Sequence, residues 1–130
     1  MSRILIVDDL SNITEMIRSM LEFHGHEIAG VACNGSEAIE KYKTLRPDVV
    51  LMDIMMPGMD GMQSMREILE YDQKAKIVLV TALGKASLMR EAAKAGAVGF
   101  VTKPFEIRRL LGAIEIATAS PRKSHRGGKK

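Results

Sequence analysis

The sequence predicts an α/β fold: a doubly wound sheet of five parallel strands in the order 2-1-3-4-5. Three observations lead to it. Short apolar runs of strand length alternate with longer segments whose apolar residues recur at i, i+3 and i+4, as strands joined by crossover helices require. The run Val49-Val50-Leu51-Met52 does not alternate, as expected of a strand buried on both faces. Right-handed crossovers between five such strands make 2-1-3-4-5 the economical order, with its switch point beside strands one and three.

The first strand covers about 3–8 and contains Ile4-Leu5-Ile6-Val7. A helix follows that Ser11 or Asn12 can cap, with Ile13, Met16, Ile17, Met20 and Leu21 spaced to face inward. Gly25 is placed to end it in a left-handed turn. A short second strand lies near 27–32. Asn34 can cap the second helix, in which Ala38, Ile39, Tyr42 and Leu45 face inward and which Pro47 stops. The third strand is 48–53. The Pro-Gly loop Met55-Met56-Pro57-Gly58-Met59-Asp60-Gly61 must then turn sharply into a third helix near 60–70. The fourth strand is 76–81. Leu88, Ala92 and Ala95 mark the inner face of a helix near 85–95, which Gly96 ends. The fifth strand covers 98–102, and a last helix runs from Glu106 to about 118.

This reads as one domain, 1–118, followed by a basic tail, 119–130, expected to be disordered. The formal charge of +3 resides in that tail, which holds Arg122, Lys123, Arg126, Lys129 and Lys130 and no acid. Without those five cations, 14 basic residues face 16 acidic ones, so the body carries about −2. No aromatic interleaves the tail cations to stack on bases, so nucleic-acid binding is not expected. Neither a signal-peptide core nor an apolar run near the ~18 residues of a membrane span is present, so a cytoplasmic location without membrane contact is expected. The single cysteine, Cys33, permits no intramolecular disulfide and reads as a small packed residue rather than a redox thiol. Among ten methionines, Met16, Met20, Met62 and Met65 fall at helical spacing and read as core filling. His24 and His26 straddle a helix-ending turn and read as surface residues.

The strand ends carry the chemistry. Asp8-Asp9, Asp53, Thr81 and Lys103 each close an apolar run, and in a parallel sheet those ends share one rim. A lone acid at a strand end is usually a turn former or a cap; five such residues together make a site. Three carboxylates repel each other without a cation. Oxygen ligands in an incomplete shell suit Mg²⁺, and the backbone carbonyl of Met55 can add one more. No His or Cys lies near these ends, so zinc is not expected. Lys103 and Thr81 supply an ammonium and a hydroxyl for phosphoryl oxygens. A carboxylate nucleophile, a Mg²⁺, a lysine and a hydroxyl are the parts needed to accept a phosphoryl group as an acyl phosphate. Asp53, central in the strand order, is the best nucleophile.

The stretches Ile4-Leu5-Ile6-Val7-Asp8-Asp9, Asp48 to Gly61, Val80-Thr81-Ala82 and Gly99 to Phe105 resemble the receiver domain of two-component response regulators, of the stand-alone chemotaxis type. The resemblance covers 1 to about 118 and implies a flavodoxin-like (βα)5 fold. By it, Asp53 is the phosphoacceptor, and Asp8, Asp9, Asp53 and the Met55 carbonyl hold Mg²⁺. Thr81 and Lys103 bind the phosphoryl group, Lys103-Pro104 is a cis peptide, and Phe100 is the switch aromatic that moves inward when Thr81 turns to the phosphate. A plain core role for Phe100 stays open.

The function implied is a signalling switch, not an enzyme with a separate substrate. It takes a phosphoryl group from a phosphohistidine of a histidine kinase or phosphotransfer protein, and assists its own phosphorylation and slow dephosphorylation. Output to a downstream target is expected through the fourth helix, fifth strand and fifth helix, with Lys85, Arg90, Lys94, Phe100, Arg108 and Arg109 as contacts. Two positions depart from the family: Thr14 stands where an Arg is frequent, and Phe100 lacks the hydroxyl of the Tyr common in chemotaxis members. A haloacid-dehalogenase-like phosphatase is the alternative, but it needs an acid where this chain has Met55. A flavodoxin-like cofactor carrier would need a phosphate loop where Asp8-Asp9 repels phosphate.

Overall fold

The computed structural model describes residues 2–119, so all of the expected tail, 119–130, except Ala119 lies outside the described residues. Strands and helices alternate: β1 (Arg3–Val7), α1 (Ser11–Phe23), β2 (Glu27–Ala32), α2 (Gly35–Leu45), β3 (Val49–Asp53), α3 (Gly61–Tyr71), β4 (Ile77–Thr81), α4 (Ala86–Ala95), β5 (Gly99–Thr102) and α5 (Ile107–Ala119). The five strands form one sheet in the order β2-β1-β3-β4-β5, and every pairing is parallel. Each predicted element is present with ends displaced by a residue or so, and α5 runs to Ala119, one residue past the expected domain boundary.

Side chains alternate across the central strands and divide the core in two. Ile4, Ile6, Val49, Leu51, Val78 and Val80 pack on one face with Ile17 and Leu21 of α1 and Leu110 and Ile114 of α5. Leu5, Val7, Val50, Met52, Ile77 and Leu79 pack on the other with Ala38 and Tyr42 of α2, Met65 and Ile68 of α3 and Ala92 of α4. β3 and β4 are buried at every position, as the unbroken apolar runs require. No described helix is long and apolar enough to cross a membrane.

Capping follows the sequence at the start of α2 and at the ends of α1 and α4, and departs from it at the start of α1. Asn34 accepts from the Glu37 N–H at the start of α2, and Gly25 (φ 90°) and Gly96 (φ 116°) supply left-handed turns after α1 and α4. At α1, however, neither Ser11 nor Asn12 is the cap. Leu10 takes that place without a side-chain bond, because Asp8 already fixes the turn by accepting from the Leu10 N–H at 3.0 Å. α1 consequently turns Thr14, Ile17 and Leu21 into the core and leaves Met16 half-exposed, against the expectation for Met16. Cys33 is also corrected: β2 ends at Ala32, so Cys33 is exposed on the loop to α2. His26 is partly buried, and its Nδ1 accepts from the Ser2 N–H.

Tyr42 ties α2 to the end of α3. The residue is 4% exposed, and its hydroxyl donates to Asp72 Oδ2 at 2.7 Å. Burial and the Asp72 carboxylate push the phenol far up, which keeps the proton on the donor. Tyr42→Phe is expected to lower unfolding stability by about 1.5 kcal/mol, the scale of a hydrogen bond to a charged group. Urea denaturation with an unchanged m-value reads that loss directly.

Candidate functional site

Parallel pairing brings the carboxyl ends of β1, β3, β4 and β5 to one rim, and the alternation just described decides which side chains meet there. Lys103 follows Val101, Asp53 follows Leu51 and Asp8 follows Ile6, each by two residues, and those three apolar residues share the α1–α5 face. Accordingly, Lys103 Nζ lies 2.9 Å from Asp8 Oδ2 and 3.4 Å from Asp53 Oδ2. Ninety-five residues separate Lys103 from Asp8 in sequence. Asp8, Asp9 and Asp53 each place a carboxylate oxygen within 4.8 Å of the others.

Asp8 and Asp53 are buried and Asp9 is partly exposed. Burial pushes the Asp53 carboxyl up and the charge of Asp8 adds to that, while Lys103 and the Met55 N–H, which donates to Asp53 Oδ1 at 3.2 Å, offset part of it. For Lys103, burial opposes the charge, but the hydrogen bond to Asp8 and the charges of Asp53 and Asp8 outweigh it and hold the ammonium above its ordinary value. Three carboxylates against one ammonium leave negative charge uncompensated. An all-oxygen donor set with excess negative charge fits a hard divalent cation such as Mg²⁺ and not a soft metal.

The remaining candidates take different places. Thr81 is fully buried on the side of β4 shared with Leu79, and its hydroxyl accepts from the Leu83 N–H at 3.2 Å. Among the described hydrogen bonds that hydroxyl meets neither Asp53 nor Lys103, although the Thr81 backbone carbonyl accepts from the Lys103 N–H at 2.7 Å. Phe100 pairs with Leu79 in the β4–β5 register and packs half-buried on the same face as Thr81. Met55 exposes 58% of its surface, so only its backbone can turn toward the acids. The Lys103-Pro104 peptide is cis, as expected.

One residue of this neighbourhood had no functional reading in the sequence. An ideal Cβ on Gly61 would lie 2.1 Å from the Asp53 carbonyl oxygen and 2.8 Å from the Ile54 Cα. The start of α3 therefore presses directly on the backbone that carries Asp53, and the Gly61 N–H donates to the Ile54 carbonyl at 2.9 Å. Asp60 caps that helix by accepting from the Gln63 N–H. The only sequence signal was the Asp-Gly pair closing the loop.

Known proteins match this arrangement along most of its length. The family model for the response regulator receiver domain matches residues 4–115. The chain is similar to the chemotaxis protein CheY of Thermotoga maritima, 46% identical over 112 residues that cover 86% of this chain and 93% of that protein. The chemotaxis protein CheY of Bacillus subtilis matches with the same identity and coverage. Among solved structures, a CheX–CheY complex with BeF3 and Mg²⁺ from Borrelia burgdorferi superposes with a TM-score of 0.84 at 33% identity, covering 87% of this chain and 86% of that one. Agreement over that length, at that identity, shows that the chain belongs to the response regulator receiver domain family.

Proposed function

We propose that this chain is a phosphoacceptor switch of two-component signalling, of the CheY type, in which Asp53 receives the phosphoryl group. The observation that carries the reading is the convergence of Asp8, Asp9, Asp53 and Lys103 on one rim from strands far apart in sequence. The donor is a phosphohistidine on a histidine kinase or histidine phosphotransfer protein. An Asp53 carboxylate oxygen attacks phosphorus, a P–O bond forms as the P–N bond to the imidazole breaks, and the imidazole leaves with its electron pair. Asp8, Asp9, Asp53 and the Met55 carbonyl are the residues that would hold Mg²⁺, which when bound neutralises charge on the phosphoryl oxygens. Lys103 is already poised between two carboxylates, so a phosphoryl oxygen on Asp53 gives its ammonium a stronger anion to bind.

The downstream change begins at Thr81. Its hydroxyl serves the Leu83 N–H in the unmodified protein, and reorienting it toward the phosphoryl group frees the start of the loop into α4. Phe100, half-buried on the same face, then packs further inward. This shifts an existing equilibrium of the surface formed by α4, β5 and α5 rather than creating a new one. Lys85, Arg108 and Arg109 are exposed on that surface, where a downstream target reads the state. A location in the cytoplasm, beside its kinase, goes with this reading. A phosphatase of the haloacid-dehalogenase kind is disfavoured because the general-acid position holds Met55, an exposed thioether with no proton to give.

Acetyl phosphate with Mg²⁺ tests the reading by intact mass, and a single added phosphoryl group on most of the protein is the expected result. Met55 and Leu83 flank the site with apolar side chains, respectively 58% and 37% exposed, that neither orient a water nor carry a proton. The acyl phosphate is therefore expected to be long-lived. Decay within seconds at neutral pH would overturn that expectation, and no uptake would overturn the function.

A further inference from the structure

The flank between α3 and α4 lies outside the Asp53 rim. It forms an open groove of about 470 Å³ lined by Arg66 of α3 and by Ser87, Arg90, Glu91, Lys94 and Ala95 of α4. Three cations line it against one acid, and that acid is engaged: Glu91 Oε2 lies 3.4 Å from Arg66 Nη2. Among the described residues, Arg90 and Lys94 take part in no ion pair, while the body of the protein is slightly acidic. The groove is thus a local concentration of unspent positive charge. Arg90 and Lys94, expected as contacts of the surface formed by α4, β5 and α5, line this groove together with Arg66 of α3.

Spacing and chemistry narrow the occupant. Arg90 and Lys94 are one helical turn apart, roughly 6 Å along α4. Alternate side chains of an extended peptide are separated by about 6.7 Å, so acids at every second position meet successive cations. The lysine and arginine stems, with Ala95, give such a backbone an apolar floor. No aromatic side chain lines the groove to stack on a base, which disfavours nucleic acid. We propose that the α3–α4 groove docks an extended, carboxylate-rich segment of a partner protein, held by Arg66, Arg90 and Lys94, with the Ser87 hydroxyl donating to one carboxylate.

Such a segment would bridge a well-buried helix to a lightly held one. α3 buries six residues, among them Met65 and Ile68, whereas Ala92 is the one residue α4 buries fully. The groove needs nothing from Asp53, so its test is independent of phosphoryl chemistry. The full chain, labelled with ¹⁵N, is titrated with a short blocked peptide of alternating glutamate and serine. The largest amide shifts are expected at Arg66, Ser87, Arg90, Glu91 and Lys94, and the same shifts are expected in Asp53→Asn. The double variant Arg90→Glu, Lys94→Glu changes only exposed positions and is expected to weaken the peptide by at least about tenfold, as lost charge pairing of this kind does. Shifts confined to α5 or to 120–130, with affinity unchanged in the double variant, would overturn the proposal. So would an oligothymidylate that binds these same residues more tightly than the peptide.

Discussion

Asp53→Asn protein takes up no phosphoryl mass from acetyl phosphate and Mg²⁺, and in Mg²⁺-free buffer it withstands denaturation better than the wild type. The first result follows from chemistry: an amide oxygen is too poor a nucleophile to displace the leaving group, and no other carboxylate at the rim occupies the central strand. The second follows from electrostatics. The Asp53 carboxyl is raised in the folded protein, chiefly by burial and then by Asp8, against the opposing pull of Lys103. A raised carboxyl contributes stability that is fully present below the unfolded-state pKa and is lost as pH rises through the folded value. At neutral pH the ionised Asp53 is therefore a net burden, and a neutral isostere removes it while leaving the Lys103–Asp8 pair at 2.9 Å.

The paired outcome separates a lost nucleophile from a lost fold. A variant that is both inert and less stable would mean that Asp53 is a structural acid, and the phosphoacceptor reading would fail with it. The pH profile sharpens the distinction. The stability advantage of Asp53→Asn is expected to shrink as pH falls and the wild-type carboxyl takes up its proton. Added Mg²⁺ is expected to stabilise the wild type more than the variant, because binding to the native state alone raises stability by mass action.

The same contrast between strand and loop explains what could be read from the chain. Unbroken apolar runs such as Val49-Val50-Leu51-Met52 permit only a buried strand, so β3, its neighbours and the rim at their ends were legible. Asp8, Asp9, Asp53 and Lys103 were legible for the same reason, since each follows such a run and parallel pairing does the rest. Met16 and Cys33 were misread because helical spacing and apolar neighbours fix a periodicity but not its phase. The rotation of α1 is set by Asp8 holding the Leu10 N–H, a tertiary detail of the site itself. Thr81 was placed correctly on its strand, yet the alternation puts it on the face opposite the lysine. Arg90 and Lys94 were assigned to the output surface from their helix alone. Only the position of α3, with Arg66, shows the groove they line.

Gly61→Ala is expected to be the most damaging single methyl in the protein. Within a helix, alanine ordinarily improves on glycine, by about 0.5–1 kcal/mol in the interior. Here the sign reverses, because the added Cβ would lie 2.1 Å from the Asp53 carbonyl oxygen and 2.9 Å from its carbonyl carbon. These are backbone atoms of a strand packed on both sides, so no flexible side chain can give way. Overpacking a rigid site costs about 3 kcal/mol or more. The displaced atoms belong to Asp53, the proposed phosphoacceptor, so the rate of phosphoryl uptake should fall in the fraction that remains folded. Gly58, three residues earlier, is the control. It has φ 75° and nothing within 4 Å of its would-be Cβ, so Gly58→Ala meets backbone strain without a clash. That strain costs about 1–2 kcal/mol and leaves Asp53 where it is. Urea midpoints and phosphorylation rates of the two variants should therefore diverge. Equal effects on both measurements would show that the loop yields to α3, and that the contact between Gly61 and Asp53 does not hold the nucleophile in place.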